Sequence, residues 1–311
     1  LDNLQQNLID ASQNLQTIRD FIRFMVSTFE EHNLSYGHGT TNPYDEAAYL
    51  VLSTLNLPID TLEPHLDAKL LDHEIKKIIK VCEQRIIHRI PAPYITNEAN
   101  FLGYKFYVDE RVIIPRSYIA EILLNNELSD YIEHPELISN ILDLCTGNGS
   151  LAIIMADYFS DSQVIAADID ENALEVAEIN VNKYDMSAVI ELRQSNLFEN
   201  LTDCPNKFDL IVTNPPYVDA KRMNILPQEY LHEPQISLSG GESGLELVND
   251  ILKNAIYFLN DFGILVLEMG DNQEEFEQLY DGLEFTWLTT QNGDGFVFVV
   301  TKKALINYFK I

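Results

Sequence analysis

Basic residues are scarce in this 311-residue chain: 20 Lys and Arg stand against 49 Asp and Glu, for a net charge of −29. A protein that grips a phosphate backbone needs cations to displace condensed counterions, so direct nucleic-acid specificity is not expected over most of such a surface. The same charge attracts a basic partner and also keeps the surface solvated. Cysteine is scarce too. Cys82, Cys145 and Cys204 form no CxxC pair, which fits free thiols in a reducing cytoplasm. No apolar run approaches the ~20 residues of a membrane span. Leu1-Asp2-Asn3 lacks the basic and apolar regions of a signal peptide. The seven histidines are dispersed, and His73-Glu74-Ile75-Lys76-Lys77 carries Lys77 where a zincin helix has its second histidine, so no metal is expected. There is no GxSxG nucleophile elbow.

What is present is a large apolar fraction, 46% hydrophobic against 22% charged, enough for two domains. Leu4, Leu8, Leu15, Ile18, Ile22 and Met25 recur at helical spacing over residues 2–31. Asn42 is placed to cap a second helix and Pro43 to open it, with Asp45 and Glu46 in its first turn. A third helix is expected over residues 68–88. His38, between Gly37 and Gly39, is either a site residue or part of a structural turn. Residues 1–90 thus form a small helical domain. Pro91-Ala92-Pro93 is a stiff connector, and strands at 101–108 and 111–114 around an Asp109-Glu110 turn make residues 91–116 a linker and hairpin. Ser117 then caps a helix running to about residue 128.

Residues 117–311 form the larger domain. From Ile138 onward strand and helix patterns alternate, which gives βαβ units. Strands are expected at 141–144, 164–167, 189–193, 208–213, 262–268, 284–288 and 296–301. The last two are joined by Gln291-Asn292-Gly293-Asp294-Gly295 and pair antiparallel. The fold class is α/β: a Rossmann-like, seven-stranded, mostly parallel sheet with the last strand inserted antiparallel, preceded by the helical domain.

In open α/β sheets ligands bind outside the carboxyl ends of the strands, and three features fall there. Cys145-Thr146-Gly147-Asn148-Gly149 joins a strand to a helix; its glycines allow close approach of a ligand, with the helix N-terminus behind. Asp168 ends the next strand, placed to accept from ribose hydroxyls. Asn214-Pro215-Pro216-Tyr217 follows the fourth strand as a stiff, extended corner. Gly147-x-Gly149-x-x-Ala152 also satisfies a dinucleotide fingerprint, which leaves a dehydrogenase as an alternative. The proline corner supplies nothing for hydride transfer. It suits a planar NH2, with acceptors for both N–H bonds and a ring to pack on it.

Asp143-x-x-Thr146-Gly147-x-Gly149, then Asp168, then Asn214-Pro215-Pro216-Tyr217 resembles the class I S-adenosylmethionine-dependent methyltransferases that act on amide or exocyclic amine nitrogen. Residues 101–117, ending Ile114-Pro115-Arg116-Ser117, look like the HemK/PrmB family of protein-glutamine methyltransferases, as do His232-Glu233-Pro234 and Ser243-Gly244-Leu245. Tyr36-Gly37-His38-Gly39-Thr40, Asn42-Pro43 and Phe285-Thr286-Trp287-Leu288 resemble the PrmB branch, whose members modify a glutamine of a large-subunit ribosomal protein. The other branch modifies the glutamine of peptide release factors. The resemblance implies that residues 145–149 and Asp168 bind S-adenosylmethionine and release S-adenosylhomocysteine, that Asn196 and Leu197 lie along the adenine, and that Asn214, Pro215, Pro216 and Tyr217 hold the substrate amide. It implies substrate recognition by the helical domain and a basic ribosomal protein as partner, before or during assembly. Two departures stand out: Asn196 where the family usually has Asp, and Tyr118 where the branch usually has Pro.

An amide nitrogen is a poor nucleophile because its lone pair is delocalised into the carbonyl. The Asn214 side-chain oxygen and the Pro215 carbonyl are placed to accept its two N–H bonds, which aligns it and favours the positive charge that develops on it. No base is needed before transfer. A nucleic-acid amino-methyltransferase shares the corner motif but needs phosphate contacts and stacking, against the charge of −29. A catalytically silent binding protein with the same fold is the remaining alternative.

Overall fold

The computed structural model describes residues 2–204, 206–290 and 293–311; Gln291 and Asn292 of the expected final turn lie outside the described residues. Two compact units emerge. Residues 1–100 with Val108–Glu110 and Pro227–His232 form one, and Phe101–Tyr107, Arg111–Leu226 and Glu233–Ile311 the other.

The first unit is helical: α1 (Asp2–Asn14), α2 (Ile18–Glu31), α3 (Pro43–Thr54), α4 (Asp72–Ile86) and the short α5 (Ala92–Thr96). The single pattern over residues 2–31 is two helices. Thr17 breaks it by acting as an N-cap: its side chain accepts from Asp20 N at 3.2 Å while Asp20 accepts from Thr17 N at 2.9 Å, so both donors are satisfied at the break. Asn42 caps α3, accepting from Asp45 N at 2.9 Å. The proline connector is not extended; Pro91 precedes α5 and Pro93 sits in its first turn, where a missing N–H costs nothing.

The core of this unit joins Phe21, Met25 and Phe29 of α2 to Leu50 and Val51 of α3 and Ile78 and Cys82 of α4. Within the unit lies an ionic knot. Arg85 is 1% exposed; its Nε donates to Glu46 Oε1 at 2.6 Å, its Nη1 to Glu229 Oε1 at 3.1 Å and its Nη2 to the Ser35 carbonyl at 2.8 Å. Arg89 adds a 3.2 Å bond to Glu229. Burial raises a carboxylate's pKa, but the Ser35 N–H and Arg85 outweigh it and hold Glu229 below its usual value. Glu46 is therefore an ion-pair partner of the core, beyond its place in the first turn of α3.

The hairpin is shifted toward the N-terminus from its expected position. β1 (Glu98–Phe101) and β2 (Tyr104–Tyr107) pair through Leu102 and Gly103, both at positive φ (49° and 87°), the requirement of a type I′ turn. Residues 111–114 are not a strand; Val112 and Ile114 are buried as irregular chain.

The second unit holds α6 (Tyr118–Leu124), β3 (Asn140–Leu144), α7 (Ser150–Tyr158), β4 (Gln163–Asp168), α8 (Glu171–Lys183), β5 (Ile190–Gln194), β6 (Phe208–Thr213), α9 (Ala220–Met223), α10 (Glu246–Phe258), β7 (Leu259–Glu268), α11 (Gln273–Leu279), β8 (Thr286–Thr290), β9 (Gly293–Thr301) and α12 (Lys302–Phe309). The sheet order is β5-β4-β3-β6-β7-β9-β8. The first five strands are mutually parallel, and β9 enters antiparallel between β7 and β8. The expected sheet of seven strands is thus present. Apolar cores cover both faces, one centred on α7 and the other on α10, which is why the inner strands read as continuous hydrophobic runs. The strand order runs from β3 outward through β4 to β5 on one side and resumes with β6 and β7 on the other, so a crevice opens at the carboxyl ends of β3 and β6, where the winding switches.

The buried ionic knot supplies a test of the helical unit. Arg85→Met leaves Glu46 without its cation and Glu229 with Arg89 alone, and breaking a buried pair from one side costs about 3–5 kcal/mol. The expected result is a clear drop in the unfolding midpoint followed by hydrogen exchange in α2 to α4. A midpoint equal to wild type would show that the knot is not needed for stability.

Candidate active site

The strand-end loops enclose a cavity of about 420 Å³ within the sheet unit. Asp143 lies behind the loop that lines it and holds that loop in shape. This carboxyl is fully buried, and its Oδ2 accepts from the Thr146 hydroxyl at 2.5 Å and from Ala152 N, in the first turn of α7, at 3.0 Å. The loop that results is tightly wound: Cys145, Gly147 and Gly149 all have positive φ, at 63°, 56° and 79°. Cys145 is not a glycine, and such a backbone persists only where surrounding bonds over-determine it. Here Thr146 N donates to the Ala167 carbonyl at 3.0 Å and Gly147 N to Asp168 Oδ2 at 2.9 Å.

Of the cofactor residues expected from sequence, Cys145, Thr146, Gly147, Asn148, Asp168, Asn196, Leu197 and Asn214 line this one cavity. Gly149 does not. It lies behind, where a Cβ would meet the Ala177 side chain at 3.2 Å, so its contribution is to let α7 and α8 close. Asp168 accepts from backbone at both oxygens, Gly147 N and Asp170 N, and it shapes the loop as well as facing the cavity. Burial raises its pKa, against those two N–H groups. Asn196 uses its Nδ2 on Glu199 at 3.0 Å, which leaves its Oδ1 as a neutral acceptor. Leu197 adopts φ 46° and is pinned through its carbonyl by the Ser195 hydroxyl at 2.6 Å.

At the proline corner, Asn214 and Pro216 line the cavity, Pro215 is buried, and Tyr217 is off the lining. The Asn214 side chain bonds to no other described residue. The Tyr217 ring lies over Gly270, where an added Cβ would sit 2.5 Å from Cε2. Its carbonyl accepts from Asn272 Nδ2 at 3.0 Å. Burial pushes the Tyr217 hydroxyl up, with Glu268 adding to it.

The wall opposite the glycine loop is made by residues that no sequence pattern assigns to the site. Arg116 lines the cavity and is held by Glu233 in a two-pronged pair, Nη1–Oε1 2.6 Å and Nη2–Oε2 2.7 Å. Glu233 also accepts from Ile114 N at 3.0 Å. Ser117 lines the cavity and donates to Glu268, the last residue of β7, at 2.6 Å. An acid at a strand's carboxyl end was a legible signal for Glu268, the same one that picked out Asp168. For Arg116 and Glu233 the signal was only their presence in the motifs that carry the family resemblance.

Two observations test whether these residues fit S-adenosylmethionine. Asn148 is 3% exposed and its Nδ2 has no hydrogen-bond partner, a donor at the cavity wall waiting for an acceptor. A Cβ at Gly147 would meet no protein atom within 4 Å, so open space lies over the loop. A nucleoside with a polar amino-acid tail fits acceptors at Asp168 and Asn196 and a donor at Asn148. Among the described residues no group of three or more His, Cys, Asp or Glu is arranged to hold a metal ion, and no helix is long and apolar enough to cross a membrane.

A parallel sheet with an inserted antiparallel strand and these loops at its carboxyl edge is a class I methyltransferase domain. The family model described as Methyltransferase small domain matches residues 121–242. The fold is shared by the hMettl16 catalytic domain solved with the MAT2A 3'UTR hairpin 1, at a TM-score of 0.51 and 15% identity, covering 84% of this chain and 92% of that one. A ribosomal protein uL3 glutamine methyltransferase of Neisseria meningitidis serogroup B is 52% identical over 296 residues, 95% of this chain and 96% of its own. Proteins of the same description from Burkholderia pseudomallei (46% identical, covering 93% and 96%) and Francisella tularensis (40%, covering 98% and 96%) are similar end to end. The chain belongs to the ribosomal protein uL3 glutamine methyltransferase family.

The buried Asp143 carries a pH dependence. Burial raises Asp143 to about 7, against bonds from Thr146 and Ala152 and with the Asp168 charge adding to the rise. The folded state keeps this proton where the unfolded chain, with an ordinary carboxyl near 3.8, has released it. Its contribution is present below about pH 4 and is lost as pH rises through about 7. At 1.36 kcal/mol per unit this amounts to roughly 4 kcal/mol. Asp143→Asn mimics the neutral form, so its unfolding free energy should fall less than wild type's between about pH 5 and 8. Parallel curves for the two proteins would mean that Asp143 is charged throughout.

Proposed function

We propose that the chain transfers a methyl group to the side-chain amide nitrogen of a glutamine in ribosomal protein uL3, the substrate for which its relatives are named. The near full-length similarity to those relatives carries this reading, and the enclosure of Asp168 and Asn214 in one cavity supports it. S-adenosylmethionine supplies an electrophilic methyl group.

The chain's own residues do the rest. Asp168, through the hydroxyls of a ribose, and the loop of residues 145–149 hold the nucleoside, with Asn196 and Leu197 along the base. Asn214 offers its side-chain oxygen, and Pro215 its carbonyl, to the two N–H groups of the glutamine amide. Holding the amide by both hydrogens fixes its nitrogen toward the methyl group, and the two acceptors favour the positive charge that grows there. Tyr217 backs the corner. Arg116, held by Glu233, keeps the opposite wall in place. The helical unit recognises the protein substrate. The surface of net charge −29 suits a basic partner met in the cytoplasm before or during ribosome assembly, with an encounter that slows as salt screens it.

Free uL3, peptide release factor and bare ribosomal RNA, each incubated with labelled S-adenosylmethionine, separate the candidates. Label should enter a uL3 glutamine. Label chiefly in release factor would move the protein to the other branch, and label in RNA would overturn the protein substrate. Asn214→Ala should lower turnover about 100-fold or more while calorimetric cofactor affinity changes far less. Turnover near wild type in that variant would refute the amide clamp.

A further inference from the structure

β6 and β7 run parallel with Leu210 opposite Ile264, Val212 opposite Val266 and Thr213 opposite Leu267. Leu210, Val212, Ile264 and Val266 all belong to the core that packs on α6 and α7. One residue beyond this ladder the same alternation brings Asn214 and Glu268 to neighbouring strand ends on one face, about 5 Å apart between backbones. Glu268 is 1% exposed. Its Oε2 accepts from Ser117 Oγ at 2.6 Å and from Tyr118 N at 2.9 Å. Ser117 lines the cavity with Asn214. Its hydroxyl donates to Glu268 and accepts from Ile119 N at 3.2 Å, and a hydroxyl with two acceptor positions has one left over.

We propose that Glu268, a positioning residue acting through Ser117, takes up the proton that leaves the glutamine nitrogen as it is methylated. The inference rests on the amide-nitrogen reading above. The methylated nitrogen carries a positive charge and still holds both of its hydrogens. One of them leaves its acceptor at the proline corner and turns to Ser117; that N–H bond breaks and its electron pair returns to nitrogen. The proton adds to Ser117 Oγ while the hydroxyl's own proton passes to Glu268 Oε2, so no further reactant is required. The carboxyl then returns its proton to solvent when product leaves.

The surroundings tune Glu268 for this. Burial dominates and raises it to about 7, against the Ser117 hydroxyl, the Tyr118 N–H, the Arg116 guanidinium and the Ile119 N–H. The Tyr217 and Tyr118 phenols also face this region, as the Tyr217 hydroxyl senses Glu268, Arg116, Tyr118 and Asp271. A carboxyl poised near neutrality both takes and returns a proton readily. The Tyr118 N–H is a donor peculiar to a non-proline residue at this position, and a hydrogen bond to the charged form lowers a carboxyl's pKa.

The test is the pH profile of kcat for wild type, Glu268→Gln and Tyr118→Pro on free uL3, from about pH 5.5 to 9, with calorimetric cofactor affinity measured beside it. Gln keeps an acceptor for Ser117 and Tyr118, and Pro is tolerated at the first position of α6, so both variants should fold. Wild type should lose kcat as pH falls through about 7. Glu268→Gln should lack this limb and run about 100-fold slower at high pH with cofactor affinity little changed. Tyr118→Pro should move the limb to higher pH. A Glu268→Gln profile superimposable on wild type, or a limb that Tyr118→Pro leaves in place, would overturn the inference while leaving the methyltransferase reading standing. If wild type labels no glutamine in any protein, that reading fails first and takes this one with it.

Discussion

One buried carboxyl organises the ligand edge of the sheet. Asp143 sits at 0% exposure one residue before the end of β3 and holds two donors from opposite sides of the glycine loop, the Thr146 hydroxyl and the first turn of α7. Its burial is costly, which is why its pKa rises. Those bonds fix the run of left-handed residues that exposes the loop backbone, and Asp168 from the next strand completes the frame by accepting from Gly147 N. The cavity is the consequence of these contacts, since open space is left over Gly147.

Acids at strand ends recur as the structural device. Asp143, Asp168 and Glu268 lie at or next to the carboxyl ends of β3, β4 and β7, and each accepts from backbone N–H groups or a hydroxyl: Asp143 from the loop and helix that follow it, Asp168 from its own following loop and from Gly147, and Glu268 from Ser117 and Tyr118. A carboxylate in that position meets unpaired N–H groups at a place where the ladder has ended. It ties down irregular chain beside the pocket. Glu233 does the same for Arg116 and the chain at Ile114. The opposite arrangement appears in the helical unit, where Arg85 is the centre and the carboxylates surround it.

The sequence by itself determined the strand and helix sequence of the sheet unit, because a buried parallel strand must be a short apolar run and its following loop must carry glycine, acid or proline. Residues 141–144, 164–167 and 208–213 were legible for that reason, and with them the placement of Cys145 to Asn148, Asp168 and Asn214 at one edge. Local capping was legible as well: Asn42 and Ser117 cap the helices expected of them. The tertiary structure decided the rest, in part through local backbone geometry and in part through residues far apart in sequence. The hairpin turns at Leu102–Gly103 and not at Asp109-Glu110 because two consecutive positive-φ residues there match strand twist. The long loop after Tyr217 supplies Pro227–His232 to the helical unit because Glu229 finds Arg85, a partner 144 residues away that no local pattern announces. The roles of Arg116, Glu233 and Ser117 were invisible for the same physical reason. A charge is recognised as buried and paired only when its partner is known, and that pairing is made by packing, which sequence spacing does not encode.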